Sequence, residues 1–141
     1  MSRLRPIRTA LAGALLLVTP LLSAVSTGPA GAASKPTKFC SELQVLMSES
    51  KHTPPPAYTS KAWHSQAHVI LATDHKIAAL APTKAVKSLM LYGVYTITML
   101  ESAHSQAQWD KDLQYLGKIQ NSAAFATTVK QATHTMNSCS S

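Results

Sequence analysis

The chain has 141 residues, thirteen basic against six acidic, and a formal charge of +7. That length holds one domain at most, and 45% hydrophobic residues with only 13% charged make it too apolar for a disordered tail. Beyond residue 31 the only glycines are Gly93 and Gly117, which excludes the glycine-rich phosphate loops of Rossmann and P-loop enzymes.

Residues 1–32 read as a secretory signal. Arg3, Arg5 and Arg8 form a positive start, an apolar stretch runs from Ala10 to Val25, and Ala30-Gly31-Ala32 offers a cleavage site. A membrane anchor fits less well, because Pro20 interrupts the apolar run and small residues, not a basic stop, follow it. A lipid anchor needs a cysteine at the cleavage point, and the nearest, Cys40, follows Lys38-Phe39. The domain is therefore expected over residues 33–141, released from the cell. All three arginines leave with the signal, so ten lysines face six acids and the mature charge is +4. Without arginine's planar fork, nucleic-acid recognition lacks its favoured residue. The lysines are scattered, which reads as a solvated surface with loose association to an acidic cell wall as a by-product.

Cys40 and Cys139 are the two cysteines, one near each end of the mature chain. In an exported protein such a pair reads as a disulfide. Closing so long a loop contributes ~4.7 kcal/mol in the chain-entropy picture, comparable to the whole net stability of a small domain.

Between the cysteines the pattern is helical. A first helix is expected from an N-cap at Thr37 to about Glu49, ended by Pro54-Pro55-Pro56. A second spans about Thr59 to Leu80, with Trp63, Ala67, Ile70 and Ile77 on its apolar side. A third runs from about Lys84 to Ser105; its β-branched and aromatic stretch has no second β-rich run to pair with, so helix is preferred to strand. Trp109, Leu113 and Leu116 make a short amphipathic piece, Gly117 to Asn121 interrupts it, and Phe125, Val129, Ala132, Met136 and Cys139 mark a last helix. Joining the two cysteines requires them at one end of the molecule, hence an even number of full-length rods. The expectation is an all-α fold, an antiparallel four-helix bundle closed by a terminal disulfide, with the signal as a separate segment and Trp109–Leu116 as a kinked extension or side piece.

The signal, Phe39-Cys40, a helix opening around Trp63 and ending in Ala81-Pro82, and a terminal helix closing on Cys139 together resemble small secreted helical proteins of high-GC Gram-positive bacteria. The resemblance implies a helical fold and an extracellular location; it implies no activity and no functional residues.

The candidate chemistry is histidine. His64, His68 and His75 fall within about 40° of one another on a helix, and a spacing of four suits a pair of metal ligands. Glu101 and His104 form a Glu-x-x-His of the kind used in bundle metal sites. A hairpin about Pro82 sets His64 level with Leu100, so His64, His68, Glu101 and His104 can meet. Against this, the histidines lie beside the apolar stripe, where half-exposed histidines are ordinary, and carboxylates are too few for a di-iron centre. Asp74 points into the apolar face of the second helix, as a buried carboxylate hydrogen-bonded to a neighbouring helix would. No His-Glu-x-x-His, Gly-x-Ser-x-Gly or unpaired cysteine suggests catalysis. The reading is a secreted, non-enzymatic helical module without cofactor that binds a protein, wall polymer or apolar ligand outside the cell, with no nucleic-acid partner and no stable membrane insertion. The alternative is a histidine-based metal or haem carrier, and a secreted enzyme of unidentified class comes third.

Overall fold

Every α-helix among the described residues starts on a hydroxyl. In the computed structural model, which describes residues 37–140, Thr37, Ser60, Thr83, Ser105 and Ser122 each accept a hydrogen bond from the backbone N–H three residues on, over 3.1–3.3 Å. Each such cap is worth about 1 kcal/mol. They open α1 (Lys38–Lys51), α2 (Lys61–Leu80), α3 (Lys84–Glu101), α4 (Gln106–Gln120) and α5 (Ala123–Asn137), after which a single 3₁₀ turn, Ser138–Ser140, carries Cys139. No strand occurs among the described residues, so the β-branched run of α3 is helical as expected. The expected signal segment, residues 1–32, lies outside the described residues.

The apolar faces build two clusters. At one end Phe39, Cys40, Leu43 and Leu46 of α1 meet Ile77, Val86, Leu89, Met90, Phe125 and Met136. At the other, Trp63 and Ala67 of α2 meet Ile97 and Leu100 of α3 and Trp109, Leu113 and Leu116 of α4. Ile70 and Tyr92 touch both clusters. α1, α2 and α3 thus run up, down and up.

Among the described residues the α-helices number five rather than four, because the piece around Trp109–Leu116 is a full fifteen-residue helix. Gly117 does not interrupt it: this glycine is buried inside α4, and the break comes only at Asn121 and Ser122. The helix runs on because Ile119, one turn past Leu116, reaches the other cluster. The expected parity nevertheless stands, since α4 and α5 descend beside α3 one after the other. α4 packs on its far half through Leu113 and Leu116. α5 packs on its near half, where Phe125 meets Tyr92 ring to ring with centroids 4.8 Å apart. The two short helices together fill the fourth corner of the bundle. That brings Cys139 back to Cys40, and the two are joined with Cα atoms 5.4 Å apart.

Candidate functional site

The third helix is shorter than its sequence suggests, and this decides where the candidate ligands go. α3 stops at Glu101 because Ser102 closes it and Ser105 already caps α4. His104 falls in the connection between them, exposed, so Glu101 and His104 do not share a helical face. The expected Glu-x-x-His pair is therefore not formed. His64, His68 and Glu101 do come together across α2 and α3, as the hairpin register requires. His64 Nδ1 lies 2.9 Å from one oxygen of Glu101, and His68 Nε2 lies 3.6 Å from the other.

The second nitrogen of His64 is also occupied. Its Nε2 donates to the backbone carbonyl of Tyr58 over 2.8 Å. A carbonyl and a carboxylate both accept, so the two contacts together favour an imidazole that donates from both nitrogens. Burial by itself lowers the His64 pKa, but the Tyr58 carbonyl, the Glu101 hydrogen bond and the Glu101 charge together outweigh it and raise it above the usual 6.5. Both ring nitrogens of His64 are thus engaged by acceptors of the protein itself. Among the described residues no three His, Cys, Asp or Glu side chains converge as a metal site.

Aromatic rings enclose the pair. Trp63 and Trp109 meet edge to face with centroids 5.2 Å apart, His64 lies 5.0 Å from Trp63 and 6.0 Å from Trp109, and Tyr58 lies 6.0 Å from Trp109. The cluster ties the 52–60 connection, α2, the end of α3 and the start of α4 into one knot. Tyr58 and Trp109 are the members that helical periodicity alone does not reveal, because neither is on α2 or α3.

Asp74 is buried at 2% exposure, as expected, but the expected hydrogen bond to a neighbouring helix is not made at Oδ1, which has no partner. Its other oxygen sits over Gly93, where a Cβ would approach to 2.6 Å. Burial, reinforced by the nearby Glu49 charge, pushes the Asp74 carboxyl well above the ordinary carboxylate range.

Three of the remaining acids accept from neutral groups. Glu49 accepts from the Thr73 hydroxyl at 2.6 Å, Asp110 from the Gln106 amide at 3.0 Å, and Asp112 from the Gln108 amide at 2.9 Å. The ion pairs among the described residues are the two histidine contacts of Glu101; no lysine is paired with a carboxylate. No helix of the described residues is long and apolar enough to cross a membrane. No family model, curated protein or solved structure matches the chain.

Proposed function

We propose that this is an extracellular, non-enzymatic binding module that adheres to an anionic polymer of the cell envelope. The observation that carries the reading is the division of charge. Nine lysines of residues 37–140 lie on the helices with no carboxylate partner. Of the six acids, Glu101 is engaged by histidine, Glu49, Asp110 and Asp112 by hydroxyl and amide groups, and Asp74 is buried. That leaves Glu42 as the one acid outside these arrangements among the described residues. A surface of unneutralised ammonium groups attracts polyanions over a Debye length and concentrates them at the protein. The signal-like residues 1–32 and the Cys40–Cys139 bond support a location outside the cell, where disulfides persist.

Two measurements test this. Expressed with its own first 32 residues, the protein should appear in the medium with its N-terminus near Ala33. The purified product should sediment with anionic wall polymer at low salt and be released towards 1 M NaCl, where the screening length shrinks to about 3 Å. Retention in the cytoplasm, or no sedimentation at low salt, refutes the reading.

A further inference from the structure

Five of the nine lysines of residues 37–140 lie toward the disulfide end of the bundle. At the disulfide end, Lys38 opens α1, Lys76 lies in the last turns of α2, Lys84 and Lys87 lie in the first turn of α3, and Lys130 lies on α5. Glu42 is the one acid outside the core at that end among the described residues. Within this region α3 and α5 leave a cleft of about 770 Å³ between them. Lys84 stands on one wall; Lys130, Gln131 and His134 stand on the other, and no carboxylate lines it.

We propose that this cleft binds the phosphate group of a phosphate ester carried on a polyol or polymer backbone. The inference rests on the anionic-polymer reading above and names the group that is recognised. Two ammonium groups on opposite walls suit a tetrahedral anion whose oxygens point several ways, because lysine acts as a compact point charge. Residues 33–141 contain no arginine, so recognition of the anion falls to lysine's point charges. The neutral groups are consistent with an acceptor-rich guest. Thr83 accepts from the Val86 N–H and so keeps its own O–H to donate, and the Gln131 amide adds two more N–H donors. Thr127 and Thr135 donate back to the carbonyls of Ala123 and Gln131, so their hydrogens are already committed to their own helix. The volume is much larger than one phosphate and matches the range of sites for drug-sized ligands, which leaves room for the ester's carbon skeleton.

The test uses the mature secreted protein and four probes at fixed ionic strength: glycerol 3-phosphate, polyphosphate, polyglutamate of equal charge, and vesicles containing phosphatidylglycerol. Amide shifts in NMR should move at Thr83–Ala85 and at residues 130–135 on adding glycerol 3-phosphate. Lys84→Gln with Lys130→Gln should weaken glycerol 3-phosphate and polyphosphate binding by about tenfold or more, since two charge-assisted contacts are lost. Lys111→Gln with Lys118→Gln, on α4, should change it less than about twofold, the scale of an exposed charge acting at a distance. Vesicle binding with the same dependence on Lys84 and Lys130 identifies a lipid headgroup as the source; polyphosphate binding without vesicle binding identifies a soluble polymer. Equal losses in the two double variants, or equal affinity for polyglutamate, overturn the cleft proposal while leaving adhesion to polyanions intact. Failure of the wild type to bind any polyanion at low salt overturns both.

Discussion

Asp74 and Gly93 form a single packing arrangement in which one residue's side chain fills the space the other leaves. The carboxyl lies where a Cβ on Gly93 would stand, 2.6 Å from Oδ2. Gly93→Ala should therefore destabilise the domain by about 1–3 kcal/mol, the usual cost of overpacking. In an Asp74→Ala background the obstruction is gone, and the same substitution should instead stabilise by about 0.5–1 kcal/mol, because alanine is the better helix residue. Urea denaturation of the four proteins measures the cycle; additive effects would show that the carboxyl and the glycine do not meet. The sequence indicates that Asp74 is buried, since it interrupts an apolar stripe. That Oδ1 lacks a partner depends on which groups of α3 come level with it, which one-dimensional periodicity does not encode.

At the scale of the helices, the ends matter more than the middles. Register about Pro82 was enough to bring His64 and His68 to Glu101, because level follows from counting residues along a hairpin. The fate of His104 was not legible in the same way. Ser102 and Ser105 can sit inside a helix or cap one, and the choice fell to the cap because Ser105 opens α4. The consequence for His64 can be measured by NMR titration. Its imidazole should titrate above 6.5, and in Glu101→Gln, with the carboxylate removed, it should titrate lower than in the wild type. The sign for stability follows: a histidine whose pKa is raised by folding contributes fully below its unfolded value of 6.5, and the contribution is lost as pH rises through the folded value. Denaturation midpoints of wild type and His64→Gln should therefore differ most on the acid side of 6.5 and converge as pH rises above neutrality.

For the whole molecule, the disulfide was the most informative pair of residues in the sequence. It imposed a parity on the topology before any packing was considered, and the fold obeys that parity with five helices by placing α4 and α5 along one corner. The helix count itself was harder to read, because Gly117 looks like a terminator and acts as a buried contact residue instead. Cys139→Ser should cost about 2–5 kcal/mol, the usual range for a native bond in a small secreted domain, and chemical denaturation with intact secondary structure by circular dichroism measures it. An unchanged midpoint would mean that the bond holds together a fold that needs no holding.

The position of that bond also determines how the domain responds to tension. Cys40 and Cys139 bracket all but the first turn of the helical body, with Cα atoms 5.4 Å apart. A pull applied to the chain outside the two cysteines is carried across a covalent link, and the helices between them bear no load. In single-molecule stretching the oxidised domain should behave as an inextensible knot. Reductant should then release a hidden length on the order of 30 nm, set by the 99-residue separation. A polymer held as proposed in the cleft between α3 and α5 would load the domain differently, because that cleft lies inside the loop. Its resistance would then depend on the helix packing at the stapled end, where Cys40 and Met136 belong to one buried cluster.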